Sequence, residues 1–222
     1  MKTLFTITLT LFLGVAVFAS PQIPDEIIYK GKKFNILYLH ILESYFKKHP
    51  DKISKAYSDC LGDILPSSTG LNRGYIATHE IKNNQLFLQD IRILSPLDED
   101  GYKSVTSNIF PNKESVKIDW FTGILVLQNG EYIGHVHGGY GSTPSYEKYI
   151  LLEIRNGNLI REIQLDLDEF EIYKEKQFQI FKQTKEYEKL KLRYKEDDEY
   201  MHEFIIDLPE AFPECISIIV DE

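Results

Sequence analysis

Cysteine is scarce in this sequence of 222 residues, which contains only Cys60 and Cys215. Neither lies in a local motif typical of a catalytic cysteine, so the sequence gives no support to a thiol enzyme. In an oxidising compartment the two thiols could instead form a disulfide that closes a long loop. We expect this disulfide, and the alternative is two separate buried thiols.

Basic residues are also few: 25 Lys and Arg stand against 34 Asp and Glu, which gives a formal net charge of −9. Nucleic-acid binding needs clustered cations that neutralise phosphates, so this balance argues against DNA or RNA as the main partner. An acidic surface is compatible with a basic protein partner, or with nothing more than solubility. We therefore expect a protein partner, with a basic one as an option, and no nucleic acid.

Long uncharged stretches are rare too, and the one that stands out is residues 4–18, which follow a basic second residue. This run is shorter than the about 20 apolar residues of a membrane-spanning helix, and threonine and glycine interrupt it. Val17 and Ala19 are the small residues expected before a cleavage site, as in a secretory signal peptide. We expect residues 1–19 to be removed on export, the alternative being an N-terminal anchor that is never cut.

The remaining chain, residues 20–222, has no linker, internal repeat or low-complexity segment that would divide it. No cysteine stands directly after the apolar run, so we expect no lipid anchor on a new N-terminal cysteine. A hydrophobic content of 43% and an aromatic content of 13% are sufficient for a packed core. We expect a single globular, soluble domain without a stable membrane anchor.

Turn-forming pairs between apolar runs predict a series of β-hairpins. These pairs are Asn83-Asn84, Asn129-Gly130 and Asn156-Gly157. Asparagine and glycine both accept the positive φ angles of a two-residue hairpin turn. A further hairpin is expected around residues 30–32. Three central hairpins in succession predict a largely antiparallel meander.

After Asp168 the apolar residues recur three to four positions apart, which is the period of an α-helix. This period predicts one long helix over residues 170–194, or two helices with a break near Thr184. Shorter helices are expected over residues 38–49, 53–65 and 102–110. The sequence thus predicts an α+β fold, an antiparallel meander sheet of hairpins with a long C-terminal helix packed on one face.

His135 and His137 are two positions apart in a predicted strand, so both imidazoles project from one face and could bind one transition metal. A catalytic zinc normally takes three protein ligands, and His79 is the best candidate for the third, ahead of Asp119 and Glu80. This pattern indicates a metal-assisted hydrolase with zinc as its cofactor. The alternative, which we expect, is that one histidine lies on a polar sheet face, the other caps the loop, and no cofactor is present.

The glycine-rich loop over residues 138–145 lacks the lysine and the serine or threonine of a phosphate-binding loop. A dinucleotide site would need a helix after the loop, whereas another strand is expected there. No nucleophile elbow surrounds Ser142, but a loop on a rigid sheet could still grip a ligand. Trp120, the single tryptophan, is expected in the core rather than on a stacking surface. The candidates for contact with a ligand or partner are Arg73, Tyr75, Trp120, Tyr140, Ser142 and Thr143.

Five segments of the chain resemble a family of small exported bacterial proteins. They are PDEIIYKGK at 24–32, RGYIAT at 73–78, KIDWFTG at 117–123, GYGST at 139–143 and YILLE at 149–153. The likeness runs over most of the chain after the expected signal peptide. It implies a bacterial periplasmic or secreted location and carries no activity, cofactor or catalytic residue.

No complete catalytic constellation is visible in the sequence, while an acidic sheet rich in aromatic residues is expected. We therefore expect an exported, non-enzymatic binding or interaction protein of the bacterial envelope. An immunity-type protein that masks a toxin is one concrete form of this function. The alternative is an enzyme, a metal-assisted hydrolase that uses His135 and His137.

Overall fold

The computed structural model describes residues 23–36, 41–62, 68, 70–71, 73–136 and 143–194, and within them the chain forms nine strands and five helices. The strands are β1 Asp25–Tyr29, β2 Lys32–Ile36, β3 Tyr75–Lys82, β4 Gln85–Leu94, β5 Tyr102–Ser104, β6 Val116–Lys117, β7 Gly123–Val136, β8 Thr143–Arg155 and β9 Asn158–Asp166. The helices are α1 Glu43–Lys48, α2 Pro50–Leu61, α3 Thr106–Ile109, α4 Leu167–Phe181 and α5 Lys185–Tyr194. The predicted signal peptide, His137, Tyr140, Ser142 and Cys215 lie outside the described residues, so what was expected of them stays a prediction.

The strands form one mostly antiparallel sheet in the order β3-β1-β2-β7-β8-β9-β4-β5, with β6 paired to β4. Because β3 also pairs with β4, the seven strands from β3 to β4 in this order form a closed ring. Two of its contacts are narrow: β2 meets β7 at Ile36 and Leu127, and β9 meets β4 at Asn158 and Gln85. The β1–β3 pair is parallel. The predicted α+β class with a mostly antiparallel sheet is confirmed, and the closure is a feature that the sequence did not reveal.

Two of the three predicted central hairpins are confirmed, and the third prediction is wrong. Asn83-Asn84 connects β3 to β4, Asn156-Gly157 connects β8 to β9, and all four residues have positive φ as predicted. Asn129-Gly130 instead lies inside β7, where Gly130 has positive φ and Asn129 does not. The strand continues through an irregularity, at which the Glu131 N–H donates to the Glu147 carboxylate at 3.2 Å. One residue with positive φ does not reverse the chain, so β7 pairs with β8 along its whole length.

The shorter elements follow the predictions in part. β1 and β2 form the expected opening hairpin, and α1 lies within the range predicted for it. α2 begins at Pro50, where the missing N–H of proline costs no hydrogen bond. The prediction of a helix over residues 102–110 is wrong in its first part, because Tyr102–Ser104 is the strand β5. It pairs with the end of β4 and satisfies backbone groups there, so that only α3 is helical in this region.

Alternate residues of β7 and β8 face two separate cores, as the two-residue period of a strand requires. Leu125, Leu127 and Leu152 belong to the larger core, which contains inward-facing residues of the ring together with side chains of α1 and α2. The residues between them, such as Tyr149 and Leu151, form a smaller core under α4. Burial of each large apolar side chain contributes about 1.5–3 kcal/mol, so the larger core stabilises the fold most.

α4 begins directly where β9 ends, and a capping box fixes its start. The N–H of Glu169 donates to Asp166 Oδ1 at 2.9 Å, and the N–H of Asp166 donates to Glu169 Oε2 at 2.9 Å. Phe170 and Tyr173 of this helix are buried in the smaller core. The predicted C-terminal helix on one face of the sheet is therefore confirmed.

The helical region has a break over residues 182–184, in agreement with the two-helix alternative. In α5 the ring of Tyr187 packs edge-on against Phe178 and Phe181 of α4. No helix in the described ranges is both long enough and apolar enough to cross a membrane.

Candidate functional site

β7 and β8 extend beyond the strands beside them and form a projection of two strands. The pairing of β7 with β2 is at Leu127, and the last pairing of β8 with β9 joins Lys148 to Asp166. Beyond these points, residues 129–136 and 143–147 pair with each other and with no other strand of the described chain. We call these two segments the ribbon. The regular segment of the ribbon, 143–147, has five residues, and a strand rises about 3.3 Å per residue, so the ribbon projects by about 16 Å.

Aromatic rings at its base attach the ribbon to the sheet and to α4. The N–H of Tyr146 donates to the Tyr149 hydroxyl at 3.1 Å, and the Tyr149 ring stacks on Phe170 with the two centroids 3.9 Å apart. The ring of Tyr146 meets that of Tyr132 edge to face at a centroid distance of 5.8 Å. Burial raises the pKa of Tyr149, so its hydroxyl is neutral where its oxygen accepts the Tyr146 N–H. The ribbon is therefore held by side chains of the smaller core.

Two consecutive large apolar residues of the ribbon, Tyr132 and Ile133, are each 53% exposed. The other large apolar side chains that are exposed stand singly in the sequence: Leu97, Ile160, Ile172 and Leu192. Single exposed apolar residues are common on protein surfaces, whereas two of them on a projecting element that pairs with no further strand of the described chain are a more specific sign of contact with another molecule. Because a turn was predicted at 129–130, the sequence did not indicate that Tyr132 and Ile133 would be exposed on this strand.

The exposed charges at the base of the ribbon are nearly all negative. Asn129, Lys148 and Asp166 form one row across β7, β8 and β9. On the ribbon, in this row and in the first turn of α4, the exposed charged residues are Glu131, Glu147, Asp166, Asp168 and Glu169, with Lys148 as the one cation. We call the five acidic side chains the base carboxylates. Within the described part of the chain, none of them forms an ion pair.

Of the predicted contact residues, Tyr75 is the first residue of β3 and belongs to the larger core, and Arg73 lies two residues before it. Tyr75 is 4% exposed and the Arg73 side chain 11%. Arg73 Nη2 donates to Asp25 Oδ1 at 2.8 Å and to the carbonyl oxygen of Ile23 at 2.7 Å, and its guanidinium lies 5.5 Å from the centre of the Tyr75 ring. The N–H of Ala77 also donates to Asp25 Oδ1, at 2.8 Å. These contacts hold β1 against β3.

Asp25 and His79 are fully buried titratable groups inside the ring. Burial raises the pKa of Asp25 to about 6, and the positive charge of Arg73 opposes this shift. Burial also lowers the pKa of His79 to about 4, so this imidazole is neutral at pH 7. Its Nδ1 donates to the carbonyl oxygen of Glu26 at 3.2 Å, while its Nε2 is buried without a hydrogen-bond partner among the described residues.

His79 and the backbone of His135, two of the three predicted metal ligands, lie on strands that are not neighbours in the sheet. β1 and β2 separate β3, which carries His79, from β7, which carries His135. The carboxylate of Glu80 accepts a hydrogen bond from a side chain of β4, and Asp119 is exposed. Among the described residues, no three His, Cys, Asp or Glu side chains lie close enough to hold a metal ion. The side chain of His135 and all of His137 are outside this description, so a metal at these two positions stays a prediction.

Three remaining candidates lie apart from the ribbon base or are described only in part. Trp120 packs against the larger core, with its ring 5.1 Å from that of Tyr45, and its Nε1 is buried with no hydrogen-bond partner in the described ranges. Thr143 is the first residue of β8, and only its backbone is described. Cys60 is half-buried on α2, and its predicted disulfide with Cys215 stays a prediction.

Comparison with protein-family models, characterised proteins and solved structures found no match to this chain. The likeness of five segments to small exported bacterial proteins stays a prediction from the sequence. The ribbon, with its exposed apolar pair and the base carboxylates, is the feature of the described chain best suited to contact another molecule.

Proposed function

We propose that this chain is an exported binding protein of the bacterial envelope that acts without catalysis. The ribbon carries this proposal, because it presents Tyr132 and Ile133 to solvent on a projecting element. Tyrosine is enriched at the energetic centre of protein interfaces, and covering a large apolar side chain contributes about 1.5–3 kcal/mol. An immunity-type protein, which masks its partner by covering a surface of it, is one form of this function.

The base of the ribbon is arranged before a partner arrives, which favours binding. The stacking of Tyr149 on Phe170 and the hydrogen bond from Tyr146 hold it in place. A prearranged element loses little conformational freedom on association, so more of the contact energy appears as affinity. The formal net charge of −9 supports a protein partner, for which a basic surface is favoured.

A periplasmic or secreted location belongs to the same proposal. It is supported by the apolar run and the small residues at Val17 and Ala19, which have the pattern of a signal peptide. The five segments that resemble exported bacterial proteins support the same compartment.

Site-specific photo-crosslinking in living cells tests the binding function. A photoreactive amino acid replaces Ile133 in one variant and, as a matched control, Leu97, which is 70% exposed in the segment after β4. We expect a discrete crosslinked product in the envelope fraction from position 133 and none from position 97. The same products from both positions, or none from position 133, would contradict the proposal.

A further inference from the structure

The base carboxylates indicate which class of partner the ribbon accepts. Elsewhere on the sheet, Glu26, Glu153 and Glu162 each lie within ion-pair distance of a lysine or arginine of this chain. The base carboxylates have no such partner within the described ranges, although Lys148 lies among them. Negative charge is therefore concentrated at the base of the ribbon, and Glu131 directly precedes the exposed apolar pair.

The hydrogen bonds at the base do not remove this charge. The Glu147 carboxylate accepts from the N–H of Glu131, and Asp166 and Glu169 accept from each other's N–H groups. A backbone N–H has a dipole but no net charge, so these carboxylates are held in position while they keep their negative charge. Charges that are fixed in this way attract a cation of a partner with little further loss of side-chain freedom.

We propose that the ribbon binds an extended segment of a protein partner that carries lysine or arginine side chains. Apolar side chains of this segment cover Tyr132 and Ile133, and its cations lie at the base carboxylates. The ribbon is about 16 Å long and two strands wide, a surface that an extended segment of about five residues covers. This partner class rests on the proposed function, because it concerns the same surface.

Two synthetic peptides serve as probes, one alternating lysine with valine and the other alternating glutamate with valine. The methyl resonances of Ile133 in the purified full chain report contact with the ribbon. We expect the lysine peptide to shift these resonances and the glutamate peptide to leave them unchanged. Raising the salt concentration should weaken the binding of the lysine peptide about tenfold, because exposed ion pairs are screened.

A triple variant, Glu131→Gln with Glu147→Gln and Asp168→Asn, removes three of the base charges. It keeps an acceptor oxygen at position 147 for the backbone N–H at position 131, and it leaves the capping box of α4 intact. We expect it to bind the lysine peptide about tenfold more weakly than the native chain does. Amide spectra check that the variant is folded, and the salt dependence of the native chain is a test that needs no variant.

The matched control, Asp59→Asn with Glu99→Gln and Glu114→Gln, removes three exposed carboxylates elsewhere and changes the net charge equally. Its affinity for the lysine peptide should stay within about twofold of the native value. Equal losses in the two triple variants, no preference for the lysine peptide, or binding that salt does not weaken would overturn the inference.

Photo-crosslinking at Ile133 distinguishes this failure from failure of the proposed function. If position 133 crosslinks the same partner equally well with and without the three base charges, the binding function stands and the basic segment is wrong. If position 133 of the native chain crosslinks nothing, the binding function itself is wrong.

Discussion

Inside the ring of strands, His79 and Asp25 titrate with opposite effects on stability. Burial lowers the pKa of His79 from 6.5 to about 4, so the unfolded chain takes up a proton that the folded chain excludes. The stability from this group is present above about pH 6.5 and is lost as the pH falls towards 4. Burial raises the pKa of Asp25 from 3.8 to about 6, so its contribution is present below about pH 3.8 and is lost as the pH rises through 6.

The two contributions largely cancel in the native protein. When the pH is lowered from about 7 to about 4.5, the shift in the pKa of His79 costs about 2 kcal/mol of stability. Over the same pH range, the protonation of Asp25 increases the free energy of unfolding by about 2 kcal/mol. A chain in which position 79 does not titrate should keep only the gain from Asp25, and should therefore become more stable on acidification relative to the native chain.

His79→Gln is the substitution that tests this balance, since its amide can still donate to the carbonyl oxygen of Glu26. Urea unfolding of both proteins is followed by the fluorescence of Trp120 at about pH 7 and about pH 4.5. The difference in the free energy of unfolding between variant and native protein should shift by about 2 kcal/mol in favour of the variant at the lower pH. Differences that agree within about 0.5 kcal/mol at the two pH values would refute a buried, neutral His79.

Gly157→Ala should cost more than about 4 kcal/mol, because a Cβ there would overlap the carbonyl oxygen of Ile118. Gly31→Ala, also at positive φ but in open space, should cost about 1 kcal/mol, and similar losses on thermal denaturation would rule out the overlap as the cause. Purified protein should hold substoichiometric zinc by elemental analysis, and His135→Ala with His137→Ala should leave its thermal stability unaffected by chelator. One zinc per chain that this double variant loses would instead favour the hydrolase. Mass spectrometry of the envelope fraction should find a chain without the predicted signal peptide, and an intact N-terminus in membrane pellets would contradict its cleavage.

Turn chemistry was sufficient to predict hairpins where both residues of a pair need positive φ, as at 83–84 and 156–157. It failed at 129–130, where pairing with β8 continues past the glycine. The Glu147 carboxylate that accepts the local N–H is 16 residues away, so no short-range pattern contains this contact. As a consequence the exposed apolar pair of the ribbon was not among the predicted contact residues.

The ring interior was predictable in part. Asp25 alternates with Ile27 and Tyr29, both buried, and this period-two pattern places the carboxylate on the core face. Its partner Arg73 is 48 residues away, and the parallel pairing of β1 with β3 is a long-range feature that no spacing reveals. Arg73 and Tyr75 were predicted to contact a ligand or partner, and the structure places Tyr75 in the larger core and Arg73 in an ion pair with the buried Asp25.

In a chain exported as we propose, the parallel β1–β3 pair sets the order in which folding can proceed. The β1–β2 hairpin emerges first, but the other edge of β1 waits for β3, and 52 residues separate Asp25 from Ala77. The ring closes only when β9 has reached β4 at the pairing of Asn158 with Gln85. Contacts between distant residues form slowly, because long loops must close first. Until β3 has emerged, the unpaired N–H and C=O groups along the open edge of β1 are exposed to pairing with other chains.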